Sequence, residues 1–495
     1  MLYHVLWRQA ESRPENIAVA GERRSVSYAQ LLREVRSCAA FLQQLNFKPQ
    51  DPIILGVPPS PEFHVVFYAG CAVGATVIPV LSSGKISPQL PRVKPRLAVG
   101  DRSFLNTVEK ECRSLYGTLV WDRKNGLHLP DSERGFKRRG LVREERVIAV
   151  SSSGSTGTPA LYYWTAGAAL ERAKLRQELL TISTEDVLLS SRPYNSGSSI
   201  TNHVILPVVA GCKIVIQEKF QRLAAAEAIE KERITVLYAV PFIFEMLASI
   251  PVSFRVDFSS LRLCISGGAP LSRYVYDRFL QRFGLRIRQR YGGTHIHPAS
   301  SYNLSDVPEA VGQLAGPFPM AVLSDDGEEL GAGKIGEIVF DFSKITRRWK
   351  KHLKDSPSRR GKYIYTGDLG KADDEGNVYI VGRKSKFIKV AANRVEPAEV
   401  ENIIRSHPQV REAVVFPLRL GKSDEAVGAV VVRSGRLKPG ELLKYCATHL
   451  DGYKCPRQIL FRKSLPRNLH GKVARFLFEQ RGDALKSLET RELAE

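Results

Sequence analysis

Strand-like and helix-like patterns alternate along the first 150 residues, and this alternation constrains the fold more than any other feature. The stretch "SYAQLLREVRSCAAFLQQL" places apolar residues at helical spacing behind a serine suited to an N-cap. "DPIILGVPP" is typical of a buried strand, and "PEFHVVFYAGCAVGATVIPV" of a helix followed by a strand. The pattern recurs in "RITVLYAVP", "FIFEMLASI" and "LRLCISGGAP". We therefore predict an α/β fold with mostly parallel sheets covered by helices.

The pattern changes near Gly333, where short strands with turn residues between them begin: "GKIGEIVFDF", "KYIYTGDLG" and "NVYIVGRKSKFIKV". Beyond them, "PAEVENIIRSH" predicts a helix with Pro397 in its first turn, "VREAVVFPLR" and "EAVGAVVVR" predict strands, and "PGELLKYCATHL" predicts a second helix. We predict a large N-terminal domain over residues 1–385, with a β-subdomain, and a small α+β domain over 386–495.

The bulk composition excludes several classes of protein. A chain of 495 residues is long enough for two or more domains. It contains no run of about 18 apolar residues, and its start lacks the pattern of a signal peptide. The seven cysteines are scattered and form no CxxC pair, which favours a reduced, cytoplasmic setting over a zinc site or a disulfide framework.

The chain is strongly basic, with a formal net charge of +22. Basic residues concentrate in residues 134–146 and 344–362, which we interpret as solvated connections. No aromatic motif or zinc-finger spacing accompanies them, so nucleic acid is a disfavoured partner. The charge is consistent with a solubilising surface or with anionic partners such as nucleotides and acidic proteins.

The stretch "SSSGSTGTPA" follows the apolar run "VIAV" and resembles a phosphate-binding loop only in part. It lacks the Gly-Lys-Ser/Thr ending of a Walker A loop, and the following "LYYW" favours a strand over a helix. Small residues still let backbone N–H groups approach an anion, and the hydroxyls add donors. Alone, the stretch fits a phosphate loop or an ordinary turn.

Five further segments follow in a fixed order: "SGGAPLS", "YGGTH", "YTGDLG", "GRKSKFIK" and "LPRNLHGKVAR". Singly, each has a plain structural explanation. Together they make the chain resemble the adenylate-forming, AMP-binding superfamily of acyl-coenzyme A synthetases, stand-alone adenylation domains and firefly-type luciferases. The resemblance implies an ATP-dependent ligase that forms an acyl-adenylate and pyrophosphate and then passes the acyl group to a thiol.

The resemblance also implies roles for individual residues. Tyr291 would stack on adenine, Asp368 would accept bonds from the ribose hydroxyls, and Arg383 would support the ribose. Thr294 would donate to the α-phosphate, and Lys472, on a mobile C-terminal lid, would bridge the reacting oxygens. The residues implied in ATP and AMP binding are Ser152, Ser153, Gly154, Ser155, Thr156, Gly157, Gly267, Gly268, Ala269, Tyr291, Gly292, Gly293, Asp368 and Arg383.

Three further groups of positions follow from the same resemblance. Lys386 stands at the hinge of the lid, and Lys389 and Ala392 stand beside the tunnel for the thiol. The candidate acyl pocket contains Asn195, Ser196, Gly197, Ser198 and Ser266. No aspartate stands there to hold an amino group, so we expect a small carboxylic acid without an α-amine, either fatty or aromatic.

The sequence departs from the family pattern at four positions. Ala160 replaces the lysine that normally ends the phosphate loop, and His295 replaces a glutamate that binds magnesium. Neutral imidazole is a poor ligand for Mg²⁺, which prefers oxygen. Ala392 replaces a glycine, and His470 replaces a small residue.

Two interpretations of these departures remain open. In one, adenylation proceeds with Mg²⁺ held by the phosphates and water; in the other, the chain is an activity-impaired AMP-binding module. The acceptor thiol is also open. It is either coenzyme A or the phosphopantetheine of an acidic acyl carrier protein.

Overall fold

The computed structural model describes residues 1–81, 93–112, 115–127, 146–151, 161–293, 296, 300–305, 307–354, 356–384, 388–390, 393–419, 425–467, 473 and 478. The chain divides into two compact units. The first unit comprises Met1–Gly267, Val275–Arg288 and Gly292–Pro298, and the second unit comprises Gly268–Tyr274, Gln289–Tyr291 and Ala299–Glu495. The domain boundary at residue 386 stays a prediction from the sequence.

The helices and strands of the first unit alternate as the sequence pattern predicts. Its helices are α1 Leu2–Ser12, α2 Tyr28–Gln44, α3 Pro61–Val73, α4 Arg102–Glu111, α5 Ala166–Leu179, α6 Gly197–Ser199, α7 Leu206–Ala210, α8 Arg222–Lys231, α9 Pro241–Ala248 and, from Val275 onward, α10 Arg273–Phe283; a π-helix, Ile200–Ile205, joins α6 to α7. Its strands are β1 Ile17–Ala20, β2 Ser25–Ser27, β3 Pro52–Gly56, β4 Thr76–Pro79, β5 Leu97–Gly100, β6 Gly117–Asp122, β7 Gly126–Leu127, β8 Arg146–Ser151, β9 Leu161–Thr165, β10 Val187–Ser190, β11 Lys213–Ile216, β12 Val236–Ala239 and β13 Leu263–Gly267.

The start of α2 illustrates how the local sequence produces these elements. Ser27 is the N-cap, and its hydroxyl accepts a hydrogen bond from the backbone N–H of Gln30. The Gln30 side chain accepts from the backbone N–H of Ser27 at 2.9 Å, which completes a capping box. The N-terminal donors that a helix leaves unpaired are thus satisfied by two residues that the sequence places three apart.

Two largely parallel sheets organise the first unit. One has the strand order β7-β6-β5-β3-β4-β8-β9, with parallel pairing from β6 to β8 and antiparallel strands at both edges. In the other, β13, β12, β10, β11 and β1 run parallel and β2 pairs antiparallel with β1. Every residue of α3 is buried, as expected for a helix enclosed by other layers. This architecture confirms the predicted α/β fold.

The second unit is built mainly from antiparallel strands. Its strands are β14 Ile287–Tyr291 (from Gln289), β15 Ser301–Tyr302, β16 Gly312–Gln313, β17 Met320–Leu323, β18 Gly336–Asp341, β19 Arg359–Arg360, β20 Tyr363–Ala372, β21 Asn377–Arg383, β22 Ile388–Val390, β23 Asn393–Val395, β24 Val410–Arg419, β25 Glu425–Arg433 and β26 Gln458–Phe461. Its helices are α11 Arg347–Leu353, α12 Pro397–Ser406 and α13 Pro439–His449, with a 3₁₀ turn at Gly452–Lys454. One sheet has the order β16-β21-β20-β18-β17, with β19 beside β20, and another has the order β24-β25-β26.

The C-terminal part of the second unit has an α+β core. Val400 and Ile404 of α12 pack with Val415 of β24, Val431 of β25 and Leu442 of α13, and all five are at most 2% exposed. Pro397 occupies the first turn of α12, as the sequence predicts. The expected small α+β arrangement is therefore present.

The basic segment 344–362 corrects one expectation. The sequence reading treats it as a solvated connection, but it folds into the helix α11 and the strand β19. Trp349 and Leu353 are 3% and 0% exposed, because residues four apart share one face of a helix and here that face is apolar. In the other basic segment, residues 134–145 lie outside the described residues.

Two general properties of the chain concern the hydropathy of its helices and the state of its cysteines. None of the helices in the described ranges has the length and hydropathy needed to span a bilayer. Each of the seven cysteines is a free thiol, and burial raises the pKa of Cys38 to about 12, so this thiol stays protonated.

Three parallel strands of the first unit are tied together by one buried carboxylate. Asp186 accepts hydrogen bonds from Thr235 Oγ1 at 2.6 Å, from Arg262 Nε at 2.8 Å and Nη2 at 2.7 Å, and from Ser183 N at 2.8 Å. Asp186, Thr235 and Arg262 stand immediately before β10, β12 and β13, respectively. Burial acts to raise the pKa of Asp186, but the bonds from Arg262, Thr235 and Ser183 outweigh it and lower the pKa.

We expect Asp186→Asn to lower the free energy of unfolding by roughly 2 kcal/mol at neutral pH, because bonds to an ionised group are lost. The native pKa of Asp186 lies below its ordinary value, so its contribution is present above about pH 4 and is lost as the pH falls through the native pKa. Urea unfolding from pH 7 to pH 3 measures this. The two proteins should converge in acid, and a constant difference would contradict the assignment.

Candidate active site

The carboxylate of Asp368 joins three residues that lie far apart in the sequence. Its Oδ2 accepts a hydrogen bond from Tyr291 OH at 2.7 Å, and its Oδ1 pairs with Arg383 Nε at 2.8 Å. Asp368 and Arg383 stand directly opposite each other where β20 pairs with β21, and Tyr291 ends β14. The second unit thus brings together three of the residues predicted to bind the nucleotide.

Tyr291 is held rigidly beside this carboxylate. Its side chain is buried, and its ring stacks against Phe340 of β18 with centroids 6.2 Å apart. Burial and the neighbouring Asp368 raise the pKa of Tyr291 well above its ordinary value, so the phenol stays protonated and donates. A carboxylate oriented by two donors keeps further lone pairs for other hydroxyls, such as those of a ribose.

A turn stabilised by Glu337 and Lys384 positions Asp368. Gly367 adopts a φ of +73°, a left-handed conformation that favours glycine, and its N–H donates to Glu337 Oε1 at 3.1 Å. Lys384 N donates to the Gly367 carbonyl at 2.9 Å, and Lys384 Nζ lies 3.0 Å from Glu337 Oε2. Sequence reasoning missed both residues, because Glu337 lies 30 positions before Gly367 and no local pattern marks the pair.

Gln289 performs a similar task for the "GGAPL" loop and was also missed. Its buried side chain accepts a hydrogen bond from Leu271 N at 3.2 Å and donates to the Pro308 carbonyl at 2.9 Å. Gln289 lies two residues before Tyr291 on β14, so the loop is anchored to the strand that carries the aromatic ring. Gly268 in this loop has a φ of +90°, which again favours glycine.

The other described glycines and Ala269 of the predicted nucleotide site occupy strand ends and loops. Gly267 is the buried last residue of β13, and Ala269 is half-buried in the loop that follows. Gly292 and Gly293 are half-buried and follow β14 directly. Ala269, Gly292 and Gly293 thus leave part of the backbone accessible after the ends of two strands.

Three predicted acyl-pocket residues of the first unit form contacts within the protein. Ser196 caps α6, since its hydroxyl accepts from Ser199 N at 3.2 Å. A Cβ at Gly197 would overlap the ring of Trp164, so glycine is needed for packing. Ser198 accepts a hydrogen bond from Asn202 Nδ2 at 3.1 Å. Ser196 and Gly197 therefore have structural roles whether or not they contact a substrate.

The last two predicted pocket residues, Asn195 and Ser266, differ in burial and in their position in the fold. Asn195 is half-buried and stands one residue before the α6 cap. Ser266 is 1% exposed and lies next to the carboxyl end of β13. Ligands of parallel sheets bind at the carboxyl ends of the strands, and the assignment of Ser266 to the acyl pocket stays a prediction.

Comparison with known proteins identifies the family. The family of AMP-binding enzymes matches residues 6–348, and the C-terminal domain of AMP-binding enzymes matches residues 399–472. The chain belongs to the AMP-binding enzymes. It is an adenylate-forming acid–thiol ligase, and the resemblance drawn from the sequence motifs is confirmed.

Similar curated proteins of this family extend over almost the whole chain. An uncharacterised acyl-CoA ligase, YtcI, of Bacillus subtilis (strain 168) is 27% identical, with 94% of this chain and 92% of that protein covered. The indoleacetate–CoA ligase of Aromatoleum aromaticum is 27% identical, with 94% and 95% covered.

Solved structures show the same fold. ATP-bound MatB from Rhodopseudomonas palustris superposes with a TM-score of 0.85 at 23% identity, covering 98% of this chain and 99% of MatB. The anthranilate CoA ligase AuaEII in complex with anthranoyl-AMP gives a TM-score of 0.84 at 20% identity, with 98% of each chain covered.

Several residues assigned to an AMP-binding enzyme by the sequence lie outside the described residues and stay predictions: Ser152, Ser153, Gly154, Ser155, Thr156, Gly157, Thr294, His295, Lys386, Ala392 and Lys472, together with the side chain of Lys389. Within the described ranges, no group of three or more histidine, cysteine, aspartate or glutamate side chains is placed to hold a metal. The Asp368 carboxylate is already engaged by Tyr291 and Arg383. We therefore assign no step to a metal held by the protein.

We expect Tyr291→Phe to weaken AMP binding about fivefold to tenfold, because it removes the hydroxyl that orients Asp368 while keeping the ring. Titration calorimetry with AMP measures this. Tyr379→Phe is the matched control, since Tyr379 OH donates to Asp373 at 2.7 Å elsewhere on the same sheet. Equal affinity losses in the two variants would contradict a specific role for Tyr291.

Proposed function

We propose that this enzyme activates a small carboxylic acid with ATP and transfers the acyl group to the thiol of coenzyme A. The observation that carries the proposal is the Asp368 carboxylate held between Tyr291 and Arg383, an arrangement suited to a ribose beside an aromatic stacking surface. Curated relatives described as acyl-CoA ligases and the ATP-bound neighbour of the same fold support it.

Two half-reactions make up the proposed chemistry. The carboxylate oxygen attacks the α-phosphorus of ATP, the bond to the β-phosphate oxygen breaks, and acyl-adenylate and pyrophosphate form. The thiol sulfur then attacks the acyl carbon, AMP leaves, and the thiol proton is released. Lys472 and Thr294 are proposed to neutralise charge on the α-phosphate in the first step. Mg²⁺ is proposed to arrive bound to the phosphates of ATP.

Two alternatives to this function remain. The first shares the adenylation half-reaction with the proposed enzyme, and the second shares only the nucleotide site. A stand-alone adenylation enzyme would load the phosphopantetheine of an acyl carrier protein, and the positive surface charge is compatible with an acidic partner. An activity-impaired module would bind AMP without chemistry. The second alternative is supported by Ala160 and His295, which replace the lysine and the glutamate of the family pattern.

A buried polar chain beside the candidate acyl segment bears on the substrate. Arg176, which is 0% exposed, donates to Asn202 Oδ1, and Asn202 in turn donates to Ser198 Oγ at 3.1 Å. The adjacent His203 is neutral, because burial and then the Arg192 and Arg176 cations lower its pKa to about 3. We infer that these groups border the acyl pocket. Such a border favours an acid with a hydrogen-bonding substituent, so we propose an aromatic or short polar acid over an unsubstituted long-chain fatty acid.

Trapping with hydroxylamine tests the proposal directly, because acyl-adenylates react to give coloured hydroxamates. We expect ATP-dependent hydroxamate from hydroxylated or methoxylated aromatic acids, with kcat/KM at least about tenfold above that for saturated long-chain acids. Omitting ATP is the control. Bound ATP without hydroxamate from any acid would establish the impaired module instead.

Lys472→Ala separates the two half-reactions. We expect adenylate formation to fall by about a hundredfold or more, while thioester formation from preformed acyl-adenylate changes much less, because the lysine is proposed to act only in the first step. Rapid-quench assays started from ATP and acid, or from synthetic adenylate, measure the two steps. Equal losses in both would refute the assignment.

A further inference from the structure

The first unit contains a cavity of about 570 Å³ whose described lining includes none of the candidate nucleotide or acyl residues. Its wall is formed by the β1–β2 turn, the middle of α2, the start of α3 and the β6–β7 turn, together with Glu218 beyond β11. The wall therefore draws on both sheets of the first unit. We call it the α3 cavity, and its volume is typical of a small-molecule site.

Arg24 holds two carboxylates of the α3 cavity in place. It donates from Nη1 and Nη2 to the two carboxylate oxygens of Glu34, at 2.7 and 2.8 Å, and from Nε to Glu62 Oε1 at 2.8 Å. Glu62 is 7% exposed and lies in the first turn of α3. Each carboxylate oxygen has two lone pairs, so this part of the lining can still accept hydrogen bonds from hydroxyl groups.

Glu218 organises a second part of the lining. Its Oε1 accepts a hydrogen bond from Arg23 Nη2 at 2.9 Å, and its Oε2 accepts one from Arg123 Nη2 at 2.7 Å. Its backbone N–H donates to Glu22 Oε1 at 2.9 Å. These bonds join the β1–β2 turn to the ends of β6 and β11 and fix the shape of the cavity. A site that is already ordered loses less conformational entropy when a ligand binds.

Two cations of the α3 cavity have no such partner. The described lining holds four arginines and lysines and four glutamates. Arg33 of α2 and Lys124 of the β6–β7 turn are exposed, and neither forms an ion pair with any residue that the structure describes. Residues 128–145 follow Leu127 and lie outside the described residues, so this charge balance is that of the described lining. Within it, two cations remain for an anionic group.

The mixed lining favours a ligand that carries a phosphate and several hydroxyl groups. Phosphate oxygens accept hydrogen bonds from guanidinium and ammonium groups such as those of Arg33 and Lys124. Carboxylates only accept, so Glu34 and Glu62 suit hydroxyl donors, and the Ser37 hydroxyl in the same lining donates or accepts. A bare anion would be repelled by the carboxylates, and a neutral sugar would leave the two cations unused. A phosphorylated polyhydroxy compound matches both kinds of group.

The helix α3 connects this cavity to the candidate acyl segment. Glu62 lines the cavity, and two residues further along α3 the Nε2 atom of His64 lies 3.2 Å from the carbonyl oxygen of His203. One turn later, Tyr68 OH donates to the carbonyl of Val204 at 2.9 Å. Both carbonyls belong to the π-helix that follows the candidate acyl residues of α6. Every residue of α3 is buried, so a change at its start is passed on through close-packed contacts.

We propose that the α3 cavity is an effector site for a phosphorylated polyhydroxy compound, and that its ligand strengthens binding of the acid. A ligand that orders the start of α3 removes freedom that the acid would otherwise remove at the acyl segment. The two ligands must then change each other's affinity by the same factor. The inference goes beyond the proposed function, because adenylation and thiol transfer use no such compound.

Titration calorimetry with glucose 6-phosphate tests the ligand class. Saturating AMP fills the nucleotide site, and all titrations use one ionic strength because salt weakens contacts to exposed cations. We expect glucose 6-phosphate to bind, inorganic phosphate to bind about tenfold more weakly, and glucose to show no binding. Absence of glucose 6-phosphate binding, or equally tight binding of inorganic phosphate, would overturn the assignment.

A pair of double variants locates the binding. Arg33→Gln with Lys124→Gln removes the two cations of the cavity, and we expect glucose 6-phosphate to bind about tenfold more weakly. Arg102→Gln with Lys110→Gln is the matched control, since it removes one exposed arginine and one exposed lysine of α4. Circular dichroism checks that both variants fold. Equal losses of affinity in the two variants, or no loss in the cavity variant, would place the ligand elsewhere and overturn the proposal.

The coupling to the acyl segment has its own measurement. At saturating glucose 6-phosphate, we expect KM for the acid in hydroxamate formation to fall about threefold in the wild type and the control, and to stay unchanged in the cavity variant. Calorimetry should show the acid tightening glucose 6-phosphate binding by the same factor. Binding without either effect would overturn the effector role. Loss of hydroxamate in the wild type would reject adenylation itself, and the calorimetric titrations would still decide the α3 cavity.

Discussion

The interaction between Asp368, Tyr291 and Arg383 is the constraint on which the candidate nucleotide site depends. A carboxylate in this position is useful only if its orientation is fixed, and both of its oxygens are engaged by donors from other strands. Those strands must therefore keep their register. The Asp368–Arg383 pairing supplies it, and Glu337 and Lys384 hold the glycine turn that precedes Asp368.

The backbone of Arg383 has a second constraint from the C-terminal part of the unit. Its N–H donates to Glu396 Oε1 at 3.2 Å, and a Cβ at the preceding Gly382 would overlap this carboxylate. The glycine of the "GR" motif is therefore required by packing in this arrangement. This glycine therefore serves the contact between β21 and the Glu396 carboxylate, in addition to any part that its motif has in nucleotide binding.

The cations of the two units lie in different electrostatic environments. In the first unit, cations such as Arg176 are fully buried, and burial beside them keeps His203 neutral. On α11 and β19 the cations are exposed and meet solvent. Buried groups select partners by shape and hydrogen bonding, since leaving one unpaired is costly, whereas exposed cations attract anions in a way that salt weakens.

Much of the fold could be predicted from the sequence because it is encoded in local patterns. The periodicities of α2, β3 and α3, the serine cap at Ser27 and the proline at the start of α12 each depend on residues only a few positions apart. The order of the motifs likewise places the chain in its family and points to Tyr291, Asp368 and Arg383 as candidate site residues. The basic segment 344–362 was misjudged, because two buried residues within a run of charges give a weak periodic signal.

The sequence alone determined the alternation of helices and strands and the family, and it marked Tyr291, Asp368 and Arg383 as candidate nucleotide-site residues. Only the tertiary structure decided which side chains orient them. Gln289, Glu337 and Lys384 act through hydrogen bonds to residues distant in the chain, and no local pattern marks such partners. The same holds for Asp186, which receives bonds from residues up to 76 positions away. Register and burial exist only once the strands have paired, and they determine which polar groups meet.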